Sequence, residues 1–269
     1  MKKIGLIAGS KDLPLLFSSE AKKKNPGLEI IAVGIKGETS KKISFFADKV
    51  YWVFPGELKK ITEILVKEGV NTSVLAGQVS PYRIFRGRNN WDELMRKVSA
   101  SAPDFRPHSI FTEIIKEIEK HGINFVNSIT YLEEFTVSSG VNNGITLSAS
   151  LEKEINHALS FARKISDLDI GQTAVFKNKS VVAVEALEGT DNTIKRAYKI
   201  CGSDFIAVKL AKENQDLRFD VPVVGLKTIK LLGKYKAKAL VLEKGRALIL
   251  DKPKFLFLAD KFKIPVIGV

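Results

Sequence analysis

Residues 3–14 read Lys3-Ile4-Gly5-Leu6-Ile7-Ala8-Gly9-Ser10-Lys11-Asp12-Leu13-Pro14, and the fold class is decided here. An apolar run that stops at a glycine is the pattern of a buried strand, in this case Lys3–Gly9. Ser10 or Asp12 can then cap a helix whose apolar positions are Leu15, Leu16 and Ala21. Strand, glycine turn and helix N-terminus is the order that receives a phosphate or a nucleotide. Gly5, Ala8 and Gly9 do not complete the G-x-G-x-x-G fingerprint, so a nicotinamide cofactor lacks support.

Outward from this stretch the pattern repeats. Glu29–Gly34, Val50–Phe54 and Ser73–Ala76 read as further buried strands, the last ending at Gly77-Gln78. Glu57–Glu68 is amphipathic through Leu58, Ile61, Ile64 and Leu65, and Ser109–His121 through Ile110, Phe111, Ile114, Ile115 and Ile118, before a strand over Ile123–Val126. Strands alternating with helices imply a parallel sheet with right-handed crossovers. Gly9, Gly34 and Gly77 then lie along one edge, where such sheets bind ligands. Glu133–Thr146 is rich in Ser, Asn and Gly and is the expected linker. That gives an α/β protein with a Rossmann-like nucleotide-binding domain over residues 1–135 and a distinct, catalytic α/β domain over residues 145–269.

The second half has a different texture. A helix over Leu151–Ser166 precedes two apolar runs, Gly171–Phe176 and Val181–Leu187, around the turn Lys177-Asn178-Lys179-Ser180, which is a hairpin pattern. Thr190 is the expected N-cap of a helix carrying Ile194, Ala197 and Ile200. Strands over Phe205–Leu210, Ala239–Leu242, Ala247–Leu250 and Pro265–Val269 alternate with helices over Thr228–Tyr235 and Pro253–Phe262.

Composition narrows the function classes. Hydrophobic residues make up 45% of the 269, enough for full cores. A single cysteine, Cys201, excludes a disulfide framework and fits a reducing compartment. It reads as structural, because His108, His121 and His157 are distant in sequence and no Cys/His pair has zinc spacing. No apolar run reaches the roughly 20 residues that span a bilayer, and no signal peptide is read at Met1-Lys2-Lys3. The net charge of +13 favours anionic partners: nucleic acid, acidic lipid or a phosphorylated substrate. The basic, aromatic stretch Pro81–Asn90, with Arg83, Arg86, Arg88, Tyr82 and Phe85, could grip a nucleotide or nucleic acid, or be a loop of partly buried aromatics.

The densest chemistry lies in Gln215-Asp216-Leu217-Arg218-Phe219-Asp220-Val221-Pro222, with Lys209 and Lys212 upstream. Two carboxylates four residues apart, an arginine between them and lysines beside them suit a divalent metal on a phosphate ester. The plainer reading is a solvated turn, but Val221, Val223 and Val224 put these charges at the mouth of a buried element. Glu188-Gly189-Thr190-Asp191 places acids at the positive end of a helix, which serves capping as well as chemistry.

These motifs resemble a family. Asp169-Ile170-Gly171-Gln172, Val184-Glu185-Ala186-Leu187-Glu188-Gly189-Thr190-Asp191 and Lys209 followed by Gln215–Pro222 resemble the LpxI-type UDP-2,3-diacylglucosamine pyrophosphatases of lipid A biosynthesis. Ile7-Ala8-Gly9 with Leu13-Pro14, and Ala76-Gly77 with Val79, match in the same order. One departure is Arg106-Pro107-His108-Ser109-Ile110, where the family pattern has an acidic pair before the helix. The resemblance implies Mg²⁺-dependent hydrolysis of UDP-2,3-diacylglucosamine to 2,3-diacylglucosamine 1-phosphate (lipid X) and UMP by water attack on the α-phosphate. It also implies two domains and a homodimer formed through the second.

On this reading Asp216 and Asp220 are metal ligand and water activator, in an order left open, with Asp191 and Glu188 as further acids. Lys209, Lys212, Arg218 and Arg196 would neutralise phosphate. Gly9, Leu13, Pro14, Gly77, Gln78, Gln172, Thr190 and Gln215 complete the expected substrate-binding set. The acyl chains call for peripheral contact with the cytoplasmic face of the inner membrane, favoured by the positive charge. Two rivals stand beside this: a nucleic-acid-binding protein, which leaves Asp216 and Asp220 unexplained, and a Rossmann-type oxidoreductase, whose fingerprint is incomplete.

Overall fold

Strand β1 (Lys3–Ala8) is apolar on both faces from Ile4 onward, and its neighbours show why. In the computed structural model, which describes residues 2–80 and 88–269, β1 lies between β2 (Glu29–Ile35) and β4 (Thr72–Ala76) in an all-parallel sheet of order β3-β2-β1-β4-β5. Strands β3 (Lys49–Val53) and β5 (Asn124–Phe125) form its edges. Helices cover both faces of such a sheet, so its strands read as continuous hydrophobic runs. The helices here are α1 (Leu13–Lys24), α2 (Leu58–Lys67), α3 (Glu93–Ser101) and α4 (Pro107–Glu119).

Helix α1 differs from the expectation. It buries Leu13, Phe17 and Ala21, one i, i+4, i+8 stripe, and leaves Leu15 and Leu16 half-buried. Asp12 precedes it without making a side-chain capping bond. Helix α3 has no counterpart in the sequence reading; Asp92 caps it by accepting the Met95 amide at 2.7 Å. Of the basic stretch Pro81–Asn90, residues 81–87 lie outside the described residues, and Arg88–Asn90 form a 3₁₀ turn.

The chain divides into two compact units: the chain up to Tyr131 together with Asp216–Asp220, and Leu132–Gln215 with Val221–Val269. The five residues Asp216–Asp220 fall within the C-terminal half in sequence, yet pack with the first unit.

The second unit is a mixed sheet of order β6-β13-β11-β9-β7-β8. Its parallel centre is β13 (Val266–Gly268), β11 (Ala239–Leu242) and β9 (Ile206–Lys209). The hairpin β7 (Thr173–Lys177) and β8 (Ser180–Val184) extends it antiparallel. The two turn residues Asn178 and Lys179 have φ of 49° and 65°, the left-handed pair that a two-residue hairpin turn needs. Side chains alternate between two cores, as a period of two requires. Ile206, Val208, Ala239 and Val241 pack with Leu151, Ile155 and Ala158 of α5 (Ala149–Asp167). Ala207, Leu240 and Leu242 face α6 (Thr190–Cys201), α7 (Leu226–Lys234) and α8 (Lys252–Lys261). Strands β10 (Val223–Val224) and β12 (Leu248–Ile249) pair separately in parallel.

Glu133–Thr146, expected as linker, is built into this unit. Gly140–Val141 is the antiparallel edge strand β6 on β13, and Val137 is buried in the core. The Asn143 side chain donates to Ile264 O at 3.0 Å and accepts from Val266 N at 2.9 Å. Its Ser/Asn/Gly composition therefore serves side-chain bonding to a strand edge.

Candidate functional site

In the first sheet, β2 lies on one side of β1 and β4 on the other, so the C-terminal ends of β1 and β4 mark the point where strand order reverses, the usual ligand crevice of such sheets. The two ends are locked together. Gly9 N donates to Ala76 O, and Ser10 N to Gln78 O, both at 2.8 Å. Gly77 adopts φ +89°, and a Cβ there would meet Ser10 O at 2.5 Å; one on Gly9 would meet Gln78 O at 2.8 Å. Backbone thus presses on backbone where the turns cross. Leu13 and Pro14, in the first turn of α1, are buried beneath them. Gly9, Leu13, Pro14, Gly77 and Gln78 are brought together.

Asp216 and Asp220 sit on one turn of the first unit, with Asp220 N donating to Asp216 O at 3.0 Å. The Asp216 carboxylate is gripped by one arginine: Arg218 Nε donates to Oδ1 at 3.0 Å, Nη2 to Oδ2 at 2.8 Å and the backbone N to Oδ1 at 3.0 Å. Burial alone would raise this carboxyl, but the Arg218 side-chain bonds, its backbone N–H and its charge outweigh burial and hold Asp216 below the ordinary carboxylate range. Arg218 also reaches Glu119 at 3.2 Å. Ser128 fastens the turn, donating its N–H to Leu217 O and its hydroxyl to Arg218 O, each at 2.8 Å, with the hydroxyl shared with Leu75 O. Phe219 packs on His108 and Phe111 with ring centroids 5.3 and 5.6 Å away.

Both Asp216 oxygens accept from Arg218, so a metal held by the expected pair Asp216 and Asp220 would share the Asp216 carboxylate with that arginine. Among the described residues no group of three or more His, Cys, Asp or Glu side chains could hold a metal ion.

The second unit assembles a buried ionic cluster. Lys209, ending β9, stands opposite Thr173 of β7, and Glu185 N, just past β8, donates to Thr173 O at 2.7 Å. Three adjacent strands therefore present Lys209, Thr173 and Glu185 in a row. Lys209 Nζ donates to Thr190 Oγ1 at 3.0 Å, Thr173 Oγ1 at 3.3 Å and Glu185 Oε2 at 3.4 Å. The Lys209 and Glu185 side chains are only 6% and 10% exposed. Thr190 is the first residue of α6 and not its cap: Gly189 holds that position with φ +80°, which frees the Thr190 hydroxyl to join Lys209 and Glu185.

Around this row lie further pairs. Asp191, in the first turn of α6, accepts from Thr228 Oγ1 at 2.9 Å and pairs with Lys227 at 3.1 Å. Glu188 pairs with Arg196 at 2.7 Å; burial would raise its carboxyl, but the Arg196 bond and backbone N–H groups, including that of Ala186, hold it below the ordinary range. Lys212 Nζ meets Asp169 at 2.9 Å, and its backbone N donates to Gln215 Oε1 at 3.0 Å. Gln172 O accepts from Leu210 N at 3.0 Å. Glu185, Thr173 and Asp169 were not among the expected site residues. The available signal was a lone carboxylate in an apolar strand run, Val181–Leu187, and a lone lysine closing another.

Models of two domains match the chain end to end: the LpxI N-terminal domain over residues 3–135 and the LpxI C-terminal domain over residues 138–267. The chain belongs to the LpxI family. A relative from Caulobacter vibrioides, named UDP-2,3-diacylglucosamine pyrophosphatase LpxI, is 28% identical across 100% of this chain and 98% of its own. Solved structures with partial likeness include pyruvate carboxylase from Rhizobium etli, at 12% identity and TM-score 0.30 over 60% of this chain and 13% of that one. N5-carboxyaminoimidazole ribonucleotide synthetase from Thermotoga maritima gives 17% and 0.26 over 71% and 43%.

Proposed function

We propose that this chain hydrolyses UDP-2,3-diacylglucosamine to lipid X and UMP in lipid A biosynthesis. The observation that carries the reading is full-length membership of a family with a relative named for this activity. The geometry supports it in two places. The uridine nucleotide would sit at the β1/β4 switch point, against the backbone of Gly9, Gly77 and Gln78. Lys209, Lys212 and Arg196 of the second unit, and Arg218 of the first, are each a candidate to neutralise phosphate within its own unit, and each is already fixed by a carboxylate.

In the reaction the oxygen of water bonds to the α-phosphorus, the bond from that phosphorus to the bridging oxygen breaks, and lipid X leaves with its phosphate. Asp220 is the carboxylate proposed to take the proton of the attacking water, and Asp216 positions Arg218. Mg²⁺ remains part of the proposal: a carboxylate of the Asp216–Asp220 turn would hold it together with the substrate, and it would supply charge neutralisation at the phosphate. Homodimerisation through the second unit and contact with the cytoplasmic face of the inner membrane complete the reading.

The test is incubation of the purified chain with UDP-2,3-diacylglucosamine, with and without Mg²⁺ and chelator, in ¹⁸O-water. Label in UMP supports attack at the α-phosphate; label in lipid X or no turnover refutes it. Salt-sensitive binding of RNA or DNA, without turnover, would favour the nucleic-acid reading instead.

A further inference from the structure

The most exposed large hydrophobic side chain among the described residues is Phe45, at 84%. It ends a 3₁₀ turn, Lys41–Phe45, between β2 and β3, and the turn is not loose. Ile43 is fully buried and anchors it, while Ser40 caps it by accepting from Lys42 N. Three residues per turn put Lys42 and Phe45 on one spoke and the buried Ile43 on another. The packing that holds Ile43 in therefore holds Phe45 out.

The surroundings are basic. Lys41 and Lys42 are exposed, and neither is held in an ion pair among the described residues. Just beyond the turn, Asp48 pairs with Lys22 at 3.0 Å, which ties this segment to the last turn of α1, where Lys22, Lys23 and Lys24 follow one another. Glu20 offsets Lys23 at 2.6 Å. An aromatic ring held into solvent amid lysines matches the layered chemistry of an anionic bilayer surface: headgroup phosphates outside, acyl boundary beneath.

We infer that the Lys41–Phe45 turn, with the C-terminal turn of α1, is the face by which the first unit docks on anionic lipid. Phe45 enters the acyl boundary, and Lys41 and Lys42 meet headgroup phosphate. The inference rests on the proposed lipid substrate for its biological purpose, but its test needs no turnover.

The full chain is co-sedimented with vesicles containing phosphatidylglycerol, and with vesicles of phosphatidylcholine alone. The parent should bind the first and not the second. Phe45→Ser should weaken binding about tenfold, the worth of burying one aromatic ring. Lys41→Glu with Lys42→Glu should weaken it more than about tenfold, at roughly 1 kcal/mol per lysine. Lys230→Glu with Lys234→Glu makes the same charge change on α7 of the second unit and should alter binding less than about twofold. Unchanged binding in both turn variants overturns the inference, as does an equal loss in the α7 control. So does a change in oligomeric mass of Phe45→Ser with vesicle binding intact, which would make the face a contact between copies. Hydrolysis of a short-chain substrate in solution should match the parent in Phe45→Ser. Loss of hydrolysis in the parent would sink the proposed function and leave the vesicle result standing.

Discussion

Glu185→Ala removes one half of a buried ion pair, and the structure sets the size of the effect. The Lys209 ammonium would stay desolvated at 6% exposure, with the hydroxyls of Thr190 and Thr173 as its remaining acceptors among the described residues. Truncating one partner of such a pair costs about 3–5 kcal/mol, because a buried charge is left uncompensated. The long Lys209–Glu185 distance, 3.4 Å, and the two hydroxyls that remain favour the lower end, about 3 kcal/mol. Replacing both partners, Glu185→Leu with Lys209→Met, removes both desolvation penalties and should leave stability within about 1 kcal/mol of the parent. The assay is urea unfolding. Trp52 and Trp91 both lie in the first unit, so tryptophan fluorescence follows that unit, and circular dichroism reports the second as well. With m of about 1–3 kcal/mol/M, the single variant should move the second-unit midpoint by about 1 M or more. The double variant should regain stability yet not hydrolysis, since Lys209 is gone. A loss below about 1 kcal/mol in Glu185→Ala, or a double variant as unstable as the single, would refute the reasoning.

Asp220→Ala should lower kcat by about 10²–10⁴-fold with KM little changed, measured by steady-state kinetics; a loss under about tenfold makes the residue structural. Gly77→Ala forces a Cβ to 2.5 Å from Ser10 O at φ +89°. It should cost about 1–3 kcal/mol and weaken UMP binding in calorimetric titration, and unchanged affinity would remove this turn from the nucleotide site. Asp48, Glu68, Asp104 and Asp216, all in the first unit, are held below their ordinary values when folded. The unfolded chain takes up these protons first, near pH 4, so the stability they confer is full above that value and lost as pH falls through the lower folded ones. Fluorescence-monitored stability should therefore drop on acidification below about pH 5, and less steeply in Asp216→Asn; equal slopes would contradict the Arg218 pairing.

The parallel sheet was legible because strands covered on both faces are apolar throughout, and Lys3–Gly9 and Glu29–Gly34 show this without any long-range information. The phase of α1 was not. Phe17 rather than Leu15 and Leu16 faces inward because the turn Ser10–Asp12, with Lys11 at φ 67°, sets where the helix begins. Helix α3 hides because it buries only Met95, Val98 and Ser99 between charged residues. Thr190 has the composition of an N-cap, but its hydroxyl is drawn into the Lys209 cluster and a glycine caps in its place. The cluster itself could not be read from spacing. Lys209 and Glu185 are 24 residues apart and meet only because β8 and β9 flank β7. Asp216–Asp220 were found by local composition, but their membership of the first unit depends on Ser128 and Phe111, far away in sequence.

Two populations of cations stand out in this chain. Lys209, Lys212, Arg196 and Arg218 each hold a carboxylate at 3.4, 2.9, 2.7 and 2.8 Å. An unpaired cation buried as deeply as Lys209 would be costly, so pairing is what permits it to be there before substrate arrives. Pairing also orients the donors in advance, which is where electrostatic stabilisation of a transition state gains its strength. On the proposed reading, phosphate would compete with carboxylate at each position, which would restrain ground-state affinity and let the product leave. Lys41 and Lys42 belong to the other population: exposed, unpaired among the described residues, and open to salt screening. Lysines of that kind contribute to the net charge of +13 and attract anionic surfaces at a distance. On the proposed reading, recognition of phosphate falls instead to cations that a carboxylate already holds.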